Sequence, residues 1–316
     1  MNNTYFEILR AGINTTIQDV GRNNLYHIGI TASGAMDQRN YQFVNNILHN
    51  SINDAAIEFA YQGPLLKLNN GNINFAITGD VFFNIIRKDS KIEEGECYQS
   101  YTLYDGEQID IISTKKTVYG YLSVSGGFDI PQVWGSYSVN TKAEVGPNNG
   151  RKFNVKDKIL IKEKILKDIK FKKIDYEPNL DNIVRVIKGT NFDYFSSKAQ
   201  GIFLNEIYSV SRLVDRMGMR LDGPSLENIN NTNIKSEGLV KGVIQVPADG
   251  KPIILLSDHG TIGGYPKIGV VISADYDKLV QMPSGAKIKF QEIQLSNAET
   301  LFRLYEMETQ NLISQI

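Results

Sequence analysis

The sequence predicts a mainly β protein of antiparallel sheets closed into barrels, with few short helices and one helix at the C-terminus. Three observations carry this. Apolar residues alternate with period two, or gather in short β-branched and aromatic runs, over most of the chain. Glycine, proline, asparagine and aspartate punctuate these runs at short intervals. Strands at this spacing do not alternate with long helical patterns, so antiparallel closure is expected rather than βαβ units.

The runs expected to be strands are Ile73–Thr78, Val81–Arg87, Gln108–Ile112, Val118–Val124, Ile183–Ile187, Val243–Val246, Pro252–Leu256 and Lys287–Phe290. Between them NNGN (69–72), YDGE (104–107), SGGFD (125–129), PADGK (247–251) and MPSGAK (282–287) each carry the glycine or Asx that a tight turn needs. Met36–His49 places Met36, Phe43, Val44, Ile47 and Leu48 as a buried helical stripe. Asn191–Ala199 and Tyr276–Gln281 are candidate short helices. At the end of the chain, Ser296 stands three residues before Glu299, a capping-box spacing. Leu301, Leu304, Tyr305, Leu312 and Ile316 follow near one helical face.

One composition shift divides the chain. Ile161–Asp181 is lysine-rich and free of glycine, and it carries Glu177-Pro178. A solvated connector explains such a charge run, and a basic patch for an acidic partner is the alternative. The expected division is 1–175 for an N-terminal β-barrel domain, 176–293 for a C-terminal one and 294–316 for the helix.

Composition excludes several classes of function. The 34 Lys plus Arg against 35 Asp plus Glu leave a net charge of −1, without the basic excess that duplex nucleic acid demands. Sixteen Tyr and 14 Phe, 30 rings, are incompatible with a disordered chain even before the single Trp is added. A single cysteine, Cys97, permits neither an internal disulfide nor a cysteine-based metal centre. It follows Glu93, Glu94 and Glu96, whose charges would raise its pKa, and reads as an ordinary half-buried thiol. No apolar run approaches the ~18 residues that span a bilayer, and the N-terminus lacks a signal-peptide core, so a cytoplasmic protein with no membrane association is expected. GxxxxGK[ST], GxGxxG after a strand, GxSxG and HExxH are all missing. His27, His49 and His259 are scattered, and no metal site is expected.

Polar residues and glycines concentrate in three segments: Thr15–Asp37, Ser211–Pro224 and Ser236–Ala274. Gly21, Gly29 and Gly34 can simply serve turns, Asp215–Arg216 a surface pair, and Gly263–Gly264 a bulge. The functional alternative is one polar cleft. Its equipment would be the guanidinium forks of Arg22 and Arg216, the carboxylates Asp19, Asp37, Asp215 and Asp258, the amide of Gln245, the hydroxyls of Ser33 and Thr261, and Lys267.

Taken in order, LRAGINTTIQDVGR (9–22), SGAMDQRN (33–40), AAIEFAYQGPLLKL (55–68), YLSVSGGFDIPQVWGSYS (121–138), DRMGMRLDGPSL (215–226), SEGLVKGVIQVPADGKPIIL (236–255) and GTIGGYPKIGVVISAD (260–275) resemble the allophanate hydrolase subunit 2 family, also described as the biotin-dependent carboxyltransferase domain family. The resemblance covers roughly residues 5–292 and runs closest to the C component of ATP-dependent 5-oxoprolinase. One departure stands out. Where many relatives have D-x-Q-T-x-G-G-Y-P, Gly260 holds the glutamine position.

The resemblance implies tandem cyclophilin-like β-barrels and three functional possibilities. In the first, the chain is the C component of a complex that, with the A and B components of 5-oxoprolinase as partners, uses ATP to open 5-oxoproline to glutamate; the nucleotide site is unassigned. Arg22 or Arg216 would hold the substrate carboxylate, with Ser33, Thr261 and Lys267 also binding. Asp258 or Asp37 would position water or a proton, with Gln245 beside them. In the second, the chain is a carboxyltransferase component acting on urea or a similar amide, with biotin carried by another chain. No AMKM- or VMKM-type biotin-carrier segment is present. In the third, it is a non-enzymatic module that regulates a kinase inhibitor resembling the B component. A homo-oligomer is possible in each.

Overall fold

The computed structural model describes residues 3–162, 172–227 and 234–315. They are mainly β and cluster into two compact units. The first draws on Met1–Asn23, Ser33–Pro178 and Thr309–Ile316, the second on Asn24–Ala32 and Asn179–Glu308. Residues 163–171 of the lysine-rich segment, with three of its six lysines, lie outside the described residues.

The first unit contains β1 (Tyr5–Arg10), β2 (Thr16–Gln18), helix α1 (Gln38–Ile47), β3 (Ala56–Ala60), β4 (Leu65–Asn69), β5 (Ile73–Thr78), β6 (Val81–Ile86), β7 (Ile92–Gly95), β8 (Ser100–Leu103), β9 (Gln108–Thr114), β10 (Tyr119–Val124) and β11 (Lys158–Leu160). They form a six-stranded sheet, β11-β1-β4-β9-β6-β7, and a five-stranded sheet, β2-β3-β10-β5-β8, antiparallel throughout. Phe6, Ile8, Leu66, Phe83 and Ile109 of one sheet pack against Ile57, Phe59, Phe75, Ile77 and Leu122 of the other. Each fully buried side chain of this kind contributes roughly 1.5–3 kcal/mol.

The two sheets read differently in sequence for a physical reason. β6 alternates buried and half-buried residues because only one of its faces meets the core. β3, β5 and β10 are buried at every position. Their second face is covered by α1, whose Phe43, Val44 and Ile47 are fully buried. Asp37 starts that helix by accepting the Asn40 N–H.

The second unit contains β12 (Ile183–Lys188), α2 (Ser197–Asn205), β13 (Ile207–Val214), β14 (Gly218–Asp222), β15 (Glu237–Gly238), β16 (Val243–Gln245), β17 (Ile253–Leu255), β18 (Ile262–Gly263), β19 (Lys267–Val271), α3 (Ser273–Val280), β20 (Lys287–Glu292) and most of α4 (Leu295–Ser314). Seven of these strands close a barrel, β12-β19-β16-β17-β14-β13-β20, in which β12 and β20 alone run parallel. β15 and β18 pair as a separate ribbon. Phe203 of α2 stacks on Phe290 of β20 with ring centroids 4.7 Å apart.

Every run expected to be a strand forms one, shifted by a residue or two at its ends. The helices depart more. Asn191–Ala199 divides into a 3₁₀ turn at Phe192–Tyr194 and the start of α2, because Ser196 caps a new helix by accepting the Ala199 N–H at 3.1 Å. α3 begins three residues before the expected Tyr276. In α4 the capping box at Ser296 is not used. The helix already starts at Leu295, with the Gln294 carbonyl accepting the Asn297 and Ala298 N–H groups. Ala298, Leu301 and Tyr305 pack with Ile272, Ala274 and Ile293, whereas Leu304, expected in the buried stripe, is 55% exposed. Ile316 of that stripe lies outside the described residues. Near its end, Thr309 accepts a hydrogen bond from Arg39 Nε at 2.8 Å, which ties the last turns to α1.

Candidate functional site

Arg22, Ser33 and Asp37 fall in the first unit; Arg216, Gln245, Asp258, Thr261 and Lys267 fall in the second. Within each unit they make the contacts described in turn below.

In the first unit the organising group is Asp19. Its buried carboxylate accepts the Gly21 N–H at 2.8 Å, the Ser136 hydroxyl at 2.7 Å, the Tyr137 N–H at 2.7 Å and the Ser138 hydroxyl at 2.5 Å. Arg22, also buried, donates to the Ser138 carbonyl. Ser33 adopts φ +56°, and its Oγ accepts from Asn140 Nδ2 at 3.2 Å. The next residue must be glycine: at Gly34, φ is +86° and a Cβ would stand 2.9 Å from the Val20 carbonyl oxygen.

Asp37 caps α1 and also accepts from Asn40 Nδ2 at 2.6 Å. Its own N–H donates to the Tyr121 hydroxyl at 2.8 Å, and that hydroxyl donates to Glu58 Oε2 at 2.8 Å. The Met36 N–H donates to the same oxygen at 2.8 Å. Burial pushes the Tyr121 phenol well above its ordinary pKa, so it remains the donor in this chain. Glu58 and Tyr121 do not belong to the set that sequence reasoning picks out. Their signal is a lone carboxylate inside the otherwise apolar run AIEFA.

In the second unit Arg216 grips Asp258 as a fork, Nε to Oδ2 at 2.8 Å and Nη2 to Oδ1 at 3.1 Å. Both side chains are buried, and the Asp258 N–H also donates to the Arg216 carbonyl at 2.8 Å. The sequence neighbour Asp215 is not the partner in this fork. Its carboxylate accepts the Met217 and Gly218 N–H groups and shapes the turn.

Lys267 pairs with Glu237 and lies 3.4 Å from Asn191 Oδ1. It is the register partner of Gln245 across β16 and β19. The Gln245 amide donates to the Tyr265 carbonyl at 3.3 Å. Gly263 faces that amide so closely that a Cβ would meet Nε2 at 2.9 Å and Leu239 at 2.7 Å, which explains the glycine there. Thr261 lies between, half-buried, its carbonyl accepting the Leu239 N–H. Gln245, Lys267 and Glu237 therefore form one polar group, and the 258–267 loop links it to the Arg216–Asp258 fork.

A pair that carries no sequence motif adjoins the fork. His259 Nδ1 lies 2.6 Å from the Gly260 carbonyl, and Nε2 lies 3.2 Å from the Tyr26 hydroxyl. A carbonyl can only accept, so Nδ1 carries the proton and Nε2 offers a lone pair to the phenol. At position 260 it is the backbone carbonyl that engages the imidazole, a contact independent of the residue type there.

Burial lowers the His259 pKa. Below the ordinary value of about 6.5 the unfolded chain takes up a proton that the folded imidazole resists. Stability should therefore fall as pH drops from about 7.5 through 6.5 towards the depressed folded value. Thermal melts across this range check it: the slope should be reduced in His259→Gln, and parallel profiles would exclude the imidazole as its source.

Among the described residues no group of three or more His, Cys, Asp or Glu side chains is placed to hold a metal, and no helix is long and apolar enough to cross a membrane. A cavity of about 500 Å³ in the first unit is lined by Asp80, Glu94, Cys97, Tyr98, Lys115 and Tyr176, among others. Burial pushes the Cys97 thiol up to about 11; the nearby charge of Asp80 is a smaller cause, and the adjacent glutamates, expected to raise it, are not the origin.

Residues 28–292 match the family described as "Carboxyltransferase domain, subdomain A and B". The chain is 33% identical over 303 residues to the C component of 5-oxoprolinase from Haemophilus influenzae, covering 95% of each protein. It is 29% identical to the C component of 5-oxoprolinase from Escherichia coli, over 92% of each. Its fold matches the crystal structure of the K. lactis urea amidolyase with a TM-score of 0.88 at 24% identity, covering 99% of this chain and 20% of that much longer one. With a family match spanning most of both units, the chain belongs to the carboxyltransferase domain family of subdomains A and B.

Proposed function

We propose that this chain is the C component of an ATP-dependent 5-oxoprolinase, acting in the cytoplasm with A- and B-type components to open 5-oxo-L-proline to L-glutamate. The observation that carries the reading is the 33% identity to a 5-oxoprolinase C component along 95% of both proteins. A correspondence of that length spans both units.

The lactam is a resonance-stabilised amide. Its opening needs an activated carbonyl, stabilisation of the oxyanion formed as water adds, and a proton for the departing nitrogen. In this reading the second unit supplies the contacts nearest the chemistry. Thr261, Lys267 and Gln245 meet the substrate's polar groups, and Asp258, held by the Arg216 fork, orients water or a proton. Arg22, Ser33 and Asp37 shape the 19–37 loop, each through a bond to its surroundings. ATP enters as a co-substrate of the assembled complex.

The purified chain should show no 5-oxoproline-dependent ATP hydrolysis and should restore it to A plus B. Robust turnover by the chain alone, or full activity of A plus B without it, would sink the reading.

A further inference from the structure

The loop that leads from the Arg216–Asp258 fork to Thr261 uses its backbone donors unevenly. The Asp258 N–H donates to the Arg216 carbonyl at 2.8 Å and the His259 N–H to the Leu256 carbonyl at 3.1 Å. The next two, the Gly260 and Thr261 N–H groups, have no acceptor among the described residues. Space is open beside them. Gly260 is exposed, and a Cβ built on it would meet only the Ile262 carbonyl oxygen, at 3.4 Å. Consecutive main-chain donors in a glycine-bearing loop are the material from which anion sites are made.

Such donors assist a reaction only if their direction is set before the charge appears. Glycine works against that, because its backbone turns freely and the peptide plane after it can flip. Two contacts remove that freedom here. His259 Nδ1 donates to the Gly260 carbonyl at 2.6 Å, and the Leu239 N–H donates to the Thr261 carbonyl at 2.9 Å. The 260–261 peptide is trans, so its N–H points opposite to its carbonyl. Holding the carbonyl against the imidazole therefore turns the Thr261 N–H away from the ring. The imidazole is itself held: it is 3% exposed, and its Nε2 lies 3.2 Å from the Tyr26 hydroxyl. Charge favours an anion at this place, since Arg216 engages the Asp258 carboxylate and the Lys241 ammonium is near enough to act on the His259 ring.

We propose that the Thr261 N–H, aimed by His259, is the donor that stabilises the lactam oxygen as it becomes an oxyanion. The inference rests on the proposed function and deepens it. As water adds, its oxygen bonds to the lactam carbon, the π pair of the C=O bond moves onto the lactam oxygen, and the proton that water loses passes to Asp258. The charge gathered on that oxygen is what the Thr261 N–H meets. Thr261 is then a catalytic residue, while His259 and Tyr26 are positioning residues.

Two replacements of His259 separate aim from mere occupancy. Asparagine can put an amide N–H where Nδ1 stands and so keep hold of the Gly260 carbonyl. Glutamine carries its amide nearer the Nε2 position and lets the carbonyl go. Both are assayed with the A- and B-type components at about pH 8, where the wild-type imidazole is neutral. His259→Gln should lower kcat about 100-fold, the loss expected for one oxyanion donor, with KM for 5-oxoproline changed less than about threefold. His259→Asn should regain at least about tenfold of that loss. Tyr26→Phe removes one hydroxyl from a ring that is 40% exposed, so it serves even if His259→Gln fails to fold. It should lower kcat in the same sense by a smaller factor. An unaltered kcat in Tyr26→Phe or in folded His259→Gln, or equal losses in the glutamine and asparagine variants, overturns the proposal and leaves the functional reading standing. A loss carried by KM alone overturns it in favour of a ground-state contact with the substrate carboxylate. If the wild-type chain does not restore activity to A plus B, the functional reading fails and this inference with it.

Discussion

Asp258→Ala should cost the second unit about 3–5 kcal/mol, because it removes the buried carboxylate that both Nε and Nη2 of the buried Arg216 guanidinium contact. Both partners are almost fully enclosed, at 8% and 1% side-chain exposure, so solvent screens little of the loss. Urea unfolding followed by far-ultraviolet circular dichroism measures it. A double replacement, Arg216→Met with Asp258→Leu, should recover much of the stability, since well-packed apolar residues can substitute for a buried ion pair. That variant separates the fork's two jobs: restored stability with absent activity in the reconstituted complex would place the Arg216–Asp258 pair in the chemistry. Arg216→Lys should fall between, because lysine keeps the charge and loses the planar pair of donors. A cost below about 1 kcal/mol for Asp258→Ala would mean that the pair behaves as a surface salt bridge.

The second large effect is expected at Asp19. Four donors converge on its carboxylate, at distances between 2.5 and 2.8 Å. Bonds to a charged acceptor are worth roughly 1.5–3 kcal/mol each and are not additive, so Asp19→Ala should destabilise the first unit by at least about 3 kcal/mol. The change should also free the 136–138 segment. Amide hydrogen exchange should accelerate at Gly21 and Tyr137, whose N–H groups lose their acceptor, before it does in the sheets. Asp19→Asn keeps the shape and one acceptor oxygen and should cost less. Unchanged protection at both amides in the alanine variant would show that other contacts hold this segment.

These two carboxylates illustrate what a single sequence conveys about a site. Asp19 and Asp258 are both legible as members of glycine-rich polar segments, but their roles are not. Asp19 is bound to Ser136 and Ser138, more than a hundred positions away, and the Arg216 fork is made to Asp258, 42 positions away. Asp37 is expected from the resemblance to position water or a proton, and the Asn40 N–H 2.9 Å away shows it capping α1 instead. Tyr26 and His259 carry no signal at all, since neither belongs to a spaced motif and their contact exists only where two distant loops meet.

The strands, their turns and the mainly β class follow from the sequence alone because period-two burial and positive-φ glycines are local properties, enforced residue by residue through backbone sterics and one-sided contact with the core. α1 is legible for the same reason, through its apolar stripe. Only the tertiary structure decides where α4 begins, which of its apolar residues are covered, and that Asn24–Ala32 joins the second unit while Thr309 joins the first. It alone also decides which polar groups meet. Hydrogen bonds and ion pairs act over about 3 Å and are indifferent to chain separation, so their partners are chosen by the closure of the sheets and barrel.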